Sequence, residues 1–260
     1  MSHGHEYQHM NPDKFADSAG VPWEGRAFEA NPWAGDDGTA DPALIASIAA
    51  LASGDGLPEA VHAALHSARL LVPLLAHLGE AGEGAHGQTV DKSADLSIVS
   101  VSSPDGQVAL PVFSSVAAMA AWNPTARPVP IEASRVALAA ASEGNGRIII
   151  DAGSATEFVI RRTAFRALAE SAPWVHPSRN PAVKAAFAAV IDAEPAIENY
   201  AIRDADPRAT LAGPEVLVYL KLTPGLSAEA VNQLVERVSE GWAASAEIAQ
   251  QVDSLGVKLV

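Results

Sequence analysis

The stretch 96–113 reads LSIVSVSSPDGQVALPVF and contains the clearest structural signal of the chain. Leu96 and Ile98 begin an extended run, and residues 107–113 form a second one. Between the two runs, residues 103–106 (SPDG) place proline and glycine where a tight turn favours them. The stretch therefore predicts a β-hairpin.

Helices and strands alternate irregularly on both sides of this hairpin. Asp41 and Pro42 are typical of a helix start, and apolar residues follow them at helical spacing. After the hairpin we expect a helix over 115–122, a helix capped by Ser134, and strands at 147–151 and 157–160. This order is too irregular for a repeated βαβ unit. The sequence therefore predicts the α+β class, built from mixed α/β domains.

A domain boundary is predicted at residues 172–180, APWVHPSRN, where two prolines and a polar run interrupt all periodicity. Beyond it the pattern predicts helix, strand, strand, helix and a terminal strand. That order is a small α-β-β-α-β two-layer sandwich. We expect residues 1–20 to be a disordered tail because they contain almost no apolar pattern. The predicted domains are residues 21–172 and 181–260.

Charge and composition exclude several classes of function. The chain has 260 residues, with 17 Lys and Arg against 31 Asp and Glu, and a formal net charge of −14. A nucleic-acid partner is not expected, because binding to phosphates needs clustered positive charge. The absence of cysteine excludes disulfides and thiolate sites. The apolar runs are too short for a membrane span and the N-terminus lacks a secretory pattern, so we expect a cytoplasmic protein.

No complete catalytic, metal or cofactor pattern is visible in the sequence. His62 and His66 have the spacing of two metal ligands on one helix face, but the glutamate of a metalloprotease helix is missing between them. We interpret both as solvated histidines on a helix surface. No glycine-rich phosphate loop is present. The sequence therefore predicts no catalytic residue, no metal and no cofactor.

Two groups of residues are candidate binding sites. Arg161, Arg162 and Arg166 are the only positive cluster, and Arg162 and Arg166 lie one helical turn apart, so they could hold a carboxylate or a phosphate. The alternative is that they neutralise nearby acids such as Glu170. The aromatic residues Trp23, Phe28 and Trp33 lie in an irregular segment suited to docking on a partner, although tryptophans more often serve core packing.

Several motifs along the chain point to one family. They include the opening residues 25–28 (GRAF), the helix-to-strand step 68–73 (ARLLVP), the hairpin residues 104–106 (PDG) and 109–113 (ALPVF), and residues 127–130 (RPVP). Together they resemble the SseB, or enhanced serine sensitivity, family in its actinobacterial form. The resemblance extends over residues 22–260, and residues 181–260 resemble the companion C-terminal domain. It implies a cytoplasmic bacterial protein of two mixed domains without a cofactor, and it transfers no site residue.

Three functional hypotheses follow, and we rank them in this order. The first is a non-enzymatic interaction or regulatory protein with a protein partner. The second is a small-molecule binding protein, for an amino acid such as serine, that holds a carboxylate with Arg161, Arg162 or Arg166. The third is an enzyme whose site is assembled from distant segments, with His77, His86 or His176 beside a buried carboxylate.

Overall fold

The structure, a computed structural model, describes residues 32–77, 82–83, 89–90 and 95–260. The described residues from 38 to 260 belong to one compact unit, and residues 32–37 belong to another. The described part of the first unit is a turn in which the amide of Asp36 donates to the carbonyl of Trp33 at 3.0 Å. The predicted tail and the residues Trp23 and Phe28 lie outside the described residues.

The compact unit alternates helices and strands in an irregular order, which confirms the α+β class. Its helices are α1 (Pro42–Ser53), α2 (Pro58–Leu65), α3 (Val116–Trp122), α4 (Ala133–Ser142), α5 (Arg162–Ala169), α6 (Pro181–Ile191), α7 (Ala228–Ala243) and α8 (Ala246–Gln251). Its strands are β1 (Arg69–His77), β2 (Gly82–Glu83), β3 (Thr89–Val90), β4 (Asp95–Ile98), β5 (Val101–Ser102), β6 (Val108–Val112), β7 (Arg127–Glu132), β8 (Arg147–Ile150), β9 (Phe158–Arg161), β10 (Ile197–Asp204), β11 (Val216–Leu222) and β12 (Leu255–Leu259).

The predicted hairpin is present, but its first strand is shorter than expected. β5 and β6 pair antiparallel around a turn in which the amide of Gly106 donates to the carbonyl of Ser103 at 2.9 Å. Residues 95–98 form β4 instead, which pairs with β1. The predicted run from Leu96 is therefore divided between two sheets, because its two parts find different neighbours.

Two larger sheets form the first half of the unit. Their strand orders are β4-β1-β7 and β5-β6-β8-β9. Leu71 of β1 and Phe113 after β6 join them, because their backbones exchange hydrogen bonds at 2.8 and 2.9 Å. β7 lies at an edge, where Pro128 and Pro130 remove amide donors that a further strand would need.

Local sequence signals set the helix starts. Asp41 Oδ1 accepts from the amides of Ala43 and Leu44, and Asn180 and Ser227 cap α6 and α7 in the same manner. The prediction that Ser134 caps α4 was wrong. α4 begins at Ala133, two residues before the expected start at Arg135, and no side chain caps it.

Two large hydrophobic clusters lie within the unit. The first joins α1, α2, α4 and α5 to the two sheets and includes Leu44, Leu65, Ile148 and Phe165. The second joins α6, α7 and α8 to the sheet β10-β11-β12. At its centre the ring of Trp242 packs edge-on against Phe187, with 5.2 Å between ring centroids.

The C-terminal part adds one helix to the expected α-β-β-α-β order. β12 pairs parallel to β11. β12 can run in the same direction as β11 because α7 and α8 together return the chain to the end of the sheet at which β11 begins. α8 was not predicted, since Ala246–Gln251 spans only 6 residues. The boundary between residues 172 and 181 and the division into two domains stay predictions.

Candidate functional site

An open groove of about 880 Å³ runs between α4, α5 and the turn before β6. α4 turns Val136, Ala137 and Ala140 toward the core, and α5 does the same with Phe165 and Leu168. The two helices pack side by side, and residues of both line the groove, some of them also part of the core. The groove is lined by Gly106, Gln107, Val108, Ala137, Leu138, Ala141, Gly144, Asn145, Gly146, Arg162, Phe165, Arg166, Ala169 and Glu170.

The groove combines exposed apolar side chains with positive charge. Leu138 is 57% exposed and Val108 is 52% exposed. Arg166 Nε lies 3.0 Å from Glu170 Oε1, and both side chains are largely exposed. In the described part of the chain, no carboxylate lies within 4.0 Å of the Arg162 guanidinium. Such a surface suits a partner that carries an apolar group beside a carboxylate.

Arg161 lies apart from the other two arginines of the predicted cluster. It ends β9 and is buried, whereas Arg162 and Arg166 are exposed on α5. Its Nη2 donates to Asp206 Oδ2 at 2.6 Å and to the carbonyl of Gly213 at 2.8 Å. Its Nη1 donates to Ser254 Oγ at 3.1 Å. The structure therefore brings only Arg162 and Arg166 to the groove, while Arg161 binds within the protein.

Arg161 belongs to a buried ionic network that joins the two halves of the unit. Arg147, which is 1% exposed, contacts both oxygens of Asp253 at 2.8 Å. It also binds Asp105 of the hairpin turn through Nε and Nη2, at 3.1 and 2.7 Å. Asp253 Oδ2 lies 3.3 Å from Arg161 Nη1. We call Arg147, Arg161, Asp105, Asp206, Asp253 and Glu215 the ionic seam.

Asp206 organises the loop that follows β10. Its two oxygens accept hydrogen bonds from the amides of Thr210, Leu211 and Ala212, at 3.2, 2.9 and 3.2 Å. Ala209 and Leu211 have positive φ angles of 50° and 61°, which are uncommon for residues with a side chain. The carboxylate and Arg161 hold this backbone in place.

Two carboxyls of the seam have shifted pKa values. Burial raises the pKa of Glu215 to about 7, and the nearby charge of Asp253 adds to the rise. Hydrogen bonds to Glu215 from the Asp253 amide (2.6 Å) and the Thr163 hydroxyl (3.1 Å) oppose it, as does the charge of Arg161. Burial also raises the pKa of Asp105, but hydrogen bonds from Ser103 and Arg147 outweigh it, so this pKa lies below its usual range.

A cluster of aromatic rings lies beside the seam. His62 on α2 packs 5.6 Å from Trp174, and Trp174 packs 5.8 Å from His176, measured between centroids. His62 is 3% exposed, so the interpretation of it as a solvated histidine was wrong, whereas His66 is exposed. Among the described residues, His62 Nε2 is the buried side-chain atom that lacks a hydrogen-bond partner. Burial and, to a smaller extent, the charge of His66 lower the pKa of His62 to about 4.

The rings border a cavity of about 30 Å³, which is large enough for water but too small for an amino acid. His176 Nδ1 accepts a hydrogen bond from the Ser178 amide at 3.2 Å, so its proton lies on Nε2. Nε2 is 3.6 Å from Asp204 Oδ1, beyond hydrogen-bond distance. Burial lowers the pKa of His176, although the charge of Asp204 opposes this. The side chain of His77, and His86, lie outside the described residues.

Glu59 fixes the segment that connects the two halves. It accepts from the His176 amide at 3.0 Å and from Arg179 at 2.7 and 2.9 Å. Burial raises the pKa of Glu59, but the bonds from Arg179 and His176 outweigh it and the pKa is lowered. These bonds and the ionic seam hold the halves of the unit together at two places.

Replacing His62 with leucine is expected to make the protein more resistant to acid. The folded chain binds a proton at His62 more weakly than the unfolded chain, so wild-type stability falls as the pH drops from 6.5 through 4. The free energy of unfolding of the variant, relative to wild type, should rise by roughly 2 kcal/mol between pH 7 and pH 4.5. Urea unfolding at several pH values measures it.

The exposed neighbour provides the control for this substitution. His66→Leu should change the free energy of unfolding at pH 7 by less than about 0.5 kcal/mol. If His62→Leu has the same pH dependence as wild type, the assignment of a buried, neutral imidazole is wrong.

Residues 43–167 match the SseB protein N-terminal domain. This part of the chain is therefore an SseB N-terminal domain. Neither the curated proteins nor the solved structures contain a match to the chain. All but two of the groove residues, Ala169 and Glu170, lie within the SseB domain.

Trp33, of the predicted docking residues, is partly exposed in the unit 1–37. In the described part of this chain, no group of three or more His, Asp or Glu residues could hold a metal ion. None of the helices that the structure describes has the length and apolar character needed to cross a membrane.

Proposed function

We propose that this protein is a cytoplasmic, non-enzymatic interaction protein of the SseB family that binds a partner protein through the groove between α4 and α5. One observation carries the proposal: Leu138 and Val108 are more than half exposed beside Arg162, an arginine outside any ion pair of the described residues. Apolar side chains and arginine are enriched at the centres of protein interfaces.

The size and the lining of the groove support a macromolecular partner. A volume of about 880 Å³ is far larger than a single amino acid needs. The exposed apolar part of the groove walls, Leu138 and Val108, would stay in contact with water if a small polar ligand bound there. A protein segment with an apolar side chain would cover these walls, and its carboxylate would bind Arg162.

The use of the buried charges supports a role without catalysis. Arg147, Arg161, Asp206 and Asp253 bind one another, so their charges hold the fold together. Asp151, also buried, accepts from the backbone amide of Ser114 and from two hydroxyl groups, which anchors the loop after β8. The hydrogen bonds and ion pairs of these groups are therefore made within the protein, where they stabilise the fold.

Site-specific photo-crosslinking in the native host tests the proposal. A photoreactive amino acid at position 138 should give a discrete adduct with another protein. The same amino acid at Leu57, which is 52% exposed away from the groove, should not. The adduct should disappear when Arg162 and Arg166 are both changed to glutamate. If position 138 gives no adduct, or the adduct persists in the Arg162→Glu, Arg166→Glu protein, the groove is not the interface.

Amino-acid binding is the second candidate, and the exposed guanidinium of Arg162 favours it. A ligand at 100 times its Kd would stabilise the protein by about 2.7 kcal/mol. Thermal-shift measurements with amino acids, serine first, therefore reveal such a site. A shift that is lost in Arg162→Ala would favour this function over the protein partner.

We also propose that residues 21–172 and 181–260 are separate domains, the second being the C-terminal companion of the SseB domain. The second hydrophobic cluster supports this division, because its buried residues all lie between Val183 and Val252. The ionic seam then connects the two domains.

A further inference from the structure

The C-terminal sheet has one face covered by helices and one open face. Ile202, Val218 and Leu220 are buried in the second hydrophobic cluster with the helices. Neighbouring residues of a strand point to opposite faces, so the residues between them lie on the open face. Strand register places these residues side by side. We call six of these residues the basic face: Ala201, Arg203, Leu217, Tyr219, Lys221 and Lys258. Asn199 and Gly256 lie on the same side of the sheet.

The basic face carries three positive charges around one aromatic ring. Arg203, Lys221 and Lys258 are exposed, and Tyr219 is partly exposed between them. Lys258 Nζ lies 5.6 Å from the centroid of the Tyr219 ring. No Asp or Glu occupies any of the six positions. This composition contrasts with a chain whose formal net charge is −14.

The charges of the basic face remain accessible to a partner. Lys221 Nζ lies 2.9 Å from Glu198 Oε2, but this pair is solvent-exposed and exposed pairs contribute little. Arg203 uses one bond, 3.2 Å long, to the carbonyl of its neighbour Ile202. Its other guanidinium donors face solvent, because the side chain is exposed.

The spacing of the three cations matches an extended chain. Neighbouring strands lie about 4.8 Å apart, and two residues along a strand span about 7 Å. With these spacings, the positions of Lys258 and Lys221 in the sheet are separated by roughly 8 Å, and those of Arg203 and Lys221 by roughly 14 Å. Alternate side chains of an extended peptide repeat at about 7 Å, so carboxylates two and four residues apart reach these cations.

We propose that the basic face binds an extended acidic segment of a partner protein. Charge complementarity supports this partner, since three cations surround an aromatic ring and the ion pair of Lys221 with Glu198 offsets only part of their charge. A nucleic acid is a poorer match, because its affinity depends on many phosphate contacts and the face offers three cations. This surface is separate from the groove of the proposed function, so one proposal can fail while the other still holds.

The test titrates the full chain with hexaglutamate whose ends are blocked. Binding is monitored by the NMR signals of the backbone amides at 50 mM salt. The amides of Arg203, Tyr219, Lys221 and Lys258 should shift on titration. The combined substitution Arg203→Glu, Lys258→Glu should weaken binding about tenfold or more. Arg135→Glu, Lys184→Glu, the same pair of charge reversals at exposed positions of α4 and α6, should alter the Kd less than about twofold. Unchanged melting temperatures confirm that the variants are folded.

Three results would overturn the proposal. The first is a titration in which these amides do not shift, or in which the groove residues shift instead. The second is tighter binding of a hexathymidylate than of hexaglutamate, which would assign the face to nucleic acid. The third is concentration-dependent dimerisation in sedimentation that the Arg203→Glu, Lys258→Glu substitution abolishes, because a second copy would then occupy the face.

Discussion

Replacing Arg161 with alanine is expected to lower the free energy of unfolding by about 3–5 kcal/mol. The guanidinium binds Asp206, Asp253, Ser254 and the carbonyl of Gly213. Its removal leaves the Asp206 carboxylate buried without a cation, at 3% side-chain exposure. Breaking a buried ion pair costs more than the pair contributes, because the remaining charge stays desolvated.

The neighbouring arginine is a matched control for this measurement. Arg162→Ala removes the same side chain one residue later, where it is exposed, and should change the free energy by less than about 0.5 kcal/mol. Arg161→Lys retains the charge but cannot bind four acceptors in one plane, so its loss should be intermediate. Urea unfolding at pH 7 measures all three. Equal and small losses for Arg161→Ala and Arg162→Ala would show that the seam does not stabilise the fold.

The different environments of Arg161 and Arg162 could not be predicted from the sequence. Arg161 and Arg162 are adjacent in one basic cluster, and composition gives both the same role. The structure separates them because β9 ends at Arg161 and α5 begins at Arg162. The acids that bind Arg161 are far away in sequence, at positions 206 and 253. Only the tertiary fold brings them together.

Features with a local physical cause could be predicted. Asp41, Asn180 and Ser227 mark helix starts because a short polar side chain there binds free amides. The hairpin turn follows from proline and glycine. The SseB resemblance was confirmed over residues 43–167, because sequence motifs can be recognised without knowledge of the structure.

The candidate groove could not be predicted, because its walls come from three separate segments. They are the turn at 106–108, α4 with the residues that follow it, and α5. Leu138 gave no signal, since an exposed leucine and a buried one look alike in a helical pattern. His62 was misassigned for a related reason: its helix face packs against residues more than 90 positions later, including Ala164 and Trp174.

The pH dependence of stability should identify Glu215 as a carboxyl that is destabilising when charged. Its pKa is about 7 in the folded chain, against 4.5 as the ordinary value. The folded chain therefore binds this proton more tightly than the unfolded chain. Stability from this group is present below pH 4.5 and falls as the pH rises through 7, by about 3 kcal/mol in all.

The wild-type profile alone does not isolate this group. His62, whose folded pKa is about 4, makes stability rise with pH between 4 and 6.5, which opposes the effect of Glu215 over most of the same range. The difference between Glu215→Gln and wild type removes the contribution of His62, because both proteins retain the imidazole. Glutamine also retains an acceptor for the Asp253 amide, which lies 2.6 Å from the carboxyl.

We expect the free energy of unfolding of Glu215→Gln, relative to wild type, to rise by about 3 kcal/mol between pH 4.5 and pH 8. Urea unfolding at intervals across this range measures the difference. A carbon NMR titration of the Glu215 carboxyl provides an independent reading and should give a midpoint near pH 7. A flat difference together with a midpoint near 4.5 would mean that water or Arg161 solvates the carboxylate, and that the seam tolerates its charge.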